Sequence, residues 1–153
     1  MRGEDVMPQF NGIEKRLEKL AECLSKLEPL KSRSLEEFSE DAYLRDIVER
    51  NLEVAAQCCI DIANRMISLE GMEKPSDYYG ALIQLGTSGI LPLEFARHLA
   101  PIAGFRNILV HGYLEIDWNL VHSHLQSLDD LYKFAEFVKA WLKAREQVGR
   151  QEG

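Results

Sequence analysis

The amino-acid sequence predicts an all-α protein, a bundle of long antiparallel helices. Three observations carry this. Apolar residues recur at spacings of three and four near both ends of the chain. A central stretch from about Tyr43 to about Leu69 meets no helix breaker until Gly71 and Pro75. Leu, Ala, Glu and Lys are abundant, prolines number only 5, and no segment reads as a convincing strand.

The first helix follows from Phe10, Ile13, Leu17, Leu20, Leu24 and Leu27, with Pro29 closing it. Its apolar line is narrow, so it suits either one helix of a bundle or a dimer seam. Lys31 to Glu40 reads as a polar connection, and Ser39 or Asp41 can cap the next helix. That helix is amphipathic at first. After Leu52 it becomes apolar nearly all round, which places it at the centre of the fold or under a partner. Asp61 and Asn64 interrupt this region. They are read as polar groups satisfied by neighbours, with a role in the site as the alternative.

Ser76 or Asp77 can cap a third helix through Leu85, and Gly86 to Gly89 reads as a turn. Pro92 fits the first turn of a fourth helix, which Pro101 kinks or breaks. Asp117 can cap a helix from Trp118 to about Gln126. A last helix presents Leu128, Leu131, Phe134, Ala135, Val138, Trp141 and Leu142 on one face. The 153 residues fit one domain, expected over residues 1–146, with a frayed tail over 147–153.

Hydrophobic residues make up 46% of the chain and charged residues 28%, an ordinary globular balance. A net charge of -7 argues against a broad basic surface for long nucleic acid, but leaves room for a small cationic pocket acting on one phosphate. Cys23, Cys58 and Cys59 are odd in number and form no metal-ligand spacing, so they read as buried thiols in a reducing compartment. The start, Met1 to Asp5, lacks the pattern of a signal peptide, and no apolar run reaches membrane-spanning length. The expected location is the cytoplasm.

One stretch concentrates chemistry: Gly104-Phe105-Arg106-Asn107-Ile108-Leu109-Val110-His111-Gly112-Tyr113. Histidine exchanges protons near neutral pH, and arginine grips phosphate oxygens with a permanently charged fork. On a helix, Asn107 and His111 share a face. Arg106 and Tyr113 share another if the helix survives Gly112. Arg106 and His111 lie about 140° apart around the axis. Either the helix ends near Val110 and His111 swings round, or the site combines residues from two chains. These types suit metal-free RNA cleavage. Read as plain structure, His111 is a helix C-cap and Tyr113 packs on the bundle. A metal site from His98, His111, His122 and His124 is poorly supported, because His122 and His124 point to different sides of a helix and no carboxylate cluster completes the set.

The ten-residue stretch resembles the R-x-x-x-x-H-x-Y signature of HEPN-domain toxins of the HepT kind. Tyr43 to Leu52, continuing into Cys59-Ile60-Asp61-Ile62-Ala63-Asn64, resembles the same family. So does the run from Gly89 to Leu99, with Leu114-Glu115-Ile116-Asp117 after the motif. The resemblance spans Tyr43 to Asp117. It implies an all-α HEPN bundle that forms a homodimer, with Arg106 and His111 catalytic in the dimer cleft and Asn107 in support. It implies the toxin of a type II toxin–antitoxin system, a metal-independent endoribonuclease that needs no cofactor. The implied partners are an RNA substrate and an MNT-type nucleotidyltransferase antitoxin, which transfers AMP from ATP to Tyr113. Bulk and negative charge added there would block an RNA phosphate. The alternative is a non-catalytic HEPN subunit that binds a nucleotidyltransferase or a nucleotide.

Overall fold

The computed structural model describes residues 8–152, and every regular element among them is helical. A 3-10 turn, Pro8–Phe10, leads into α1 (Asn11–Leu27). Ile13, Leu17, Leu20, Cys23, Leu24 and Leu27 are all buried, and α1 lies along the long central helix α3 (Ala42–Leu69). The narrow apolar line of α1 is therefore filled within the chain, as one helix of a bundle.

Residues Lys31 to Glu40 are more than a connection. A 3-10 turn at Glu28–Leu30 is followed by α2 (Leu35–Glu40). Ser34 starts it with a capping box, its hydroxyl accepting from the Glu37 amide while Glu37 takes the Ser34 amide. Phe38, the wholly buried residue of this short helix, stacks on Trp118 with ring centres 5.0 Å apart. Packing, more than six residues of helix propensity, holds α2 in place.

Asp41, not Ser39, caps α3, its carboxylate accepting from the amides of Tyr43 and Leu44. The helix is apolar on several sides because α1, α4 and α6 all pack on it. It ends in a Schellman motif: Gly71 takes φ 68°, and the Met72 amide reaches back to the Ile67 carbonyl.

Asp77 caps α4 (Tyr78–Thr87) through the Gly80 amide. Gly86 and Thr87 belong to this helix rather than to the expected turn, which falls at Ser88 and Gly89. Gly86 is needed because a Cβ there would stand 2.5 Å from Ala96 Cβ, where α5 (Leu93–Leu99) crosses. Pro101 breaks the chain between α5 and α6 (Ile102–His111). Asp117 caps α7 (Trp118–Leu125).

The last helix, α8 (Leu128–Glu152), lays Leu128, Leu131, Phe134, Ala135, Val138 and Leu142 into the core. It stays helical beyond 146, where a frayed tail was expected. Gly153 and the N-terminal Met1 to Asp5 lie outside the described residues. Cys23, Cys58 and Cys59 are buried free thiols. Burial pushes the Cys58 thiol up to about 11, and the Cys59 thiol higher still.

Candidate active site

The ten residues of α6 divide cleanly. Ile102, Ala103, Phe105 and Leu109 are buried against the bundle, chiefly on α3. Arg106 is half-buried, and Asn107, Ile108 and His111 face solvent. The buried side fixes how α6 is rotated, so it also fixes which side chains reach out.

Arg106 is held by two elements besides its own. Its Nε donates to Gln57 Oε1 of α3 at 2.6 Å, and its Nη1 donates to Asn107 Oδ1 at 3.0 Å. The guanidinium carbon stands 5.6 Å from the centre of the Tyr78 ring, at the start of α4. Gln57 is fixed in turn, with its Nε2 donating to Asp61 Oδ1 at 2.8 Å. Asp61 also takes Arg16 Nε of α1 at 3.5 Å. A polar chain thus runs from α1 across α3 to the motif arginine.

Asp61 is a polar group satisfied by neighbours, and through Gln57 it also bears on the motif. Asn64 bonds back to the Ile60 carbonyl of its own helix. Sequence reading passed over Gln57 and Tyr78. The signal for Gln57 was its place one turn before Asp61, among Ala55, Ala56, Cys58 and Cys59.

The helix does not stop short of His111. It runs through this residue and closes at Gly112, whose amide bonds the Ile108 carbonyl at 2.8 Å. His111 therefore stays about 140° from Arg106 around the axis. Of the two routes to a joint site, a swing of His111 at an early helix end is not taken. Asn107 shares the face of His111, yet its Oδ1 accepts from Arg106. Tyr113 lies beyond the helix end, 68% exposed, so it neither shares the face of Arg106 nor packs into the bundle.

The remaining histidines have local roles. His98 bonds Asp130 at 2.9 Å, and His122 bonds the Arg33 carbonyl at 2.9 Å. The half-buried His124 ring stacks on Phe105, with centres 3.8 Å apart and planes 12° apart. Among the described residues, no three His, Cys, Asp or Glu side chains converge on a point where a metal would sit. No described helix is long and apolar enough to cross a membrane.

The family described as ribonuclease HepT-like matches residues 13–138, from the first turn of α1 well into α8. The chain belongs to the ribonuclease HepT-like family. It is 37% identical over 109 residues to the tRNA nuclease HepT of Aphanizomenon flos-aquae, covering 71% of this chain and 74% of that one. It is 30% identical over 105 residues to the mRNA nuclease HepT of Shewanella oneidensis, covering 68% and 79% of the two. The solved structure of a tri-AMPylated Shewanella oneidensis HEPN toxin in complex with MNT antitoxin superposes with a TM-score of 0.76. It shares 25% identity and covers 85% of this chain and 98% of that one. The expectation of an all-α, HepT-like ribonuclease of the toxin–antitoxin class is met by these findings.

Proposed function

We propose that this HepT-like chain is a metal-independent endoribonuclease toxin that acts as a homodimer, with Arg106 and His111 as its catalytic residues. The observation that carries the reading is the state of Arg106. Two of its three guanidinium nitrogens are held by Gln57 and Asn107, while His111 projects from the end of the same helix into solvent. A held cation and an open proton-transfer group are the two parts that phosphodiester cleavage needs.

His111 of one chain takes the proton of a ribose 2′-hydroxyl as that oxygen attacks the adjacent phosphorus. Arg106 stabilises the added negative charge of the transition state. A second histidine, His111 of the other chain, gives a proton to the leaving 5′-oxygen. The products are a 2′,3′-cyclic phosphate and a 5′-hydroxyl end. The angle of about 140° between Arg106 and His111 supports the two-chain arrangement, because one straight helix cannot close both onto one phosphate.

The partner in this reading is an MNT-type nucleotidyltransferase antitoxin that moves AMP from ATP onto Tyr113. The phenol stands clear of the helix end, where a second enzyme can reach it. The substrate class is RNA and the location cytoplasmic.

The test is cleavage of RNA by purified protein in EDTA. Cutting is expected from the wild type and abolished in Arg106→Ala and His111→Ala. Undiminished cutting by His111→Ala would sink the assignment. A clean wild-type protein that binds a nucleotidyltransferase but never cuts would assign the chain to a docking role instead.

A further inference from the structure

Two cavities adjoin on the side of α3 that leads to Arg106. One, of about 460 Å³, is lined by Arg16, Asp61, Asn64, Arg65 and Ser68, together with Gly12. The other, of about 550 Å³, begins at the same Asn64 and Ser68 and runs past Lys74 and Asp77 to Tyr78. The Tyr78 ring is the one that lies against the Arg106 guanidinium. Sharing Asn64 and Ser68, the two cavities form one groove, whose Tyr78 end lies beside the motif arginine. Each half is of the size that takes a small-ligand fragment such as a nucleotide.

The charge of this groove runs against that of the chain. The protein carries a net -7, yet the groove and its end hold Arg16, Arg65, Lys74 and Arg106 against two carboxylates. Both carboxylates are occupied. Asp61 accepts from Arg16 and Gln57, and Asp77 accepts from the Gly80 amide. Arg65, exposed on α3, makes among the described residues only a 3.4 Å bond to the Gln9 carbonyl. Asn64 and Ser68 add neutral polar groups between the cations. From Asp61 to Ser68 the stretch of α3 that lines the groove is about 10 Å of helix. That matches roughly three phosphates at the spacing of one strand of a duplex.

We propose that this groove binds the RNA backbone on one side of the scissile phosphate, with Arg65 and Lys74 as phosphate contacts. The inference rests on the ribonuclease reading and extends it: the motif supplies chemistry, and the groove supplies much of the hold on substrate. Contacts of this kind go to phosphate, so they carry affinity with little sequence preference. The Tyr78 ring gives a base a surface to stack on where the groove meets Arg106.

The probe is a fluorescein-labelled RNA oligonucleotide with 2′-O-methyl riboses, which cannot be cut. Its anisotropy is read at several salt concentrations. Arg65→Glu/Lys74→Glu is expected to bind at least tenfold more weakly than wild type. Its dependence of log K on log salt should flatten by about 1.4, at roughly 0.7 per lost single-strand phosphate contact. The charge-matched control Arg97→Glu/Lys139→Glu, on α5 and α8, should stay near wild type. With cleavable RNA, the groove variant should raise KM and leave kcat within about twofold, the mark of uniform binding.

Binding by the groove variant equal to that of the control would overturn the proposal even if the enzyme cuts RNA. Wild-type protein that binds the probe but cuts nothing would overturn the catalytic reading and leave the groove standing. Wild-type protein that binds no RNA removes both. If the double charge reversal does not fold by circular dichroism, Arg65→Gln/Lys74→Gln takes its place, with a smaller loss of the same sign. Photocross-linking of 4-thiouridine RNA gives an independent reading. Adducts on the Tyr78 peptide and the C-terminal half of α3 are expected, and adducts confined to other elements would count against the groove.

Discussion

Gln57 accepts from Arg106 and donates to Asp61, so one amide transmits the position of α3 to the motif. Its part is positioning, since it holds the arginine and not the phosphate. Gln57→Leu keeps the bulk and removes the acceptor. A hydrogen bond to a charged group is worth about 1.5–3 kcal/mol, and Arg106 is only half-buried, so the lower end applies. A fall of about tenfold in kcat is expected, with KM for RNA little changed, and steady-state kinetics would read the split. A rise in KM at constant kcat would mean that Gln57 serves substrate binding instead. Tyr113 has the opposite setting, exposed and beyond the helix end. Tyr113→Phe should cut RNA as the wild type does and gain no AMP mass when incubated with the antitoxin and ATP. An intact-mass spectrum decides this, and an AMP increment surviving in Tyr113→Phe would move the modification to another residue.

At the scale of elements, legibility followed sequence separation. The stripe of α1 and the caps at Asp41, Asp77 and Asp117 depend on residues within a turn or two of each other, and each was readable. The short helix α2 went unread although Ser34 and Glu37 spell a capping box, because only Leu35 and Phe38 mark its apolar side. The hold of Gln57 on Arg106 joins residues 49 apart. It depends on how α3 and α6 cross, which no local pattern encodes. The stack of His124 on Phe105 is of the same kind, joining α7 to the residue before Arg106. Burial holds the His124 pKa below its ordinary 6.5, against a smaller opposing pull from Asp130. The unfolded chain then takes up this proton at a higher pH than the fold does. The stability it brings is complete above about 6.5 and falls as the pH drops through that value. Urea midpoints between pH 7.5 and 5.5 should decline less in His124→Phe, which keeps the stacking and cannot protonate. Equal slopes in the two proteins would assign the acid sensitivity to other groups.

On the scale of the whole molecule, the bundle spends its core on rotating α6 so that Arg106 and His111 leave it in different directions. Tyr43 and Ile47 on α3 and Ile108 on α6 remain exposed, apolar surface of the kind a second copy covers. If a site takes Arg106 from one chain and His111 from the other, two inactive proteins can complement each other. Arg106→Ala supplies an intact histidine, and His111→Ala supplies an intact arginine. Mixed, unfolded together and refolded, they form dimers in which the two intact groups come from different chains. Such a dimer keeps a single His111, so water must protonate the leaving 5′-oxygen. RNA cleavage above that of either parent but well short of wild type is expected from the mixture, and none from either protein refolded alone. A site confined to one chain predicts an inert mixture, since no chain then carries both groups. Light scattering on the same samples guards the comparison: dimers without recovered cleavage would mean that the site takes both residues from one chain or needs both histidines.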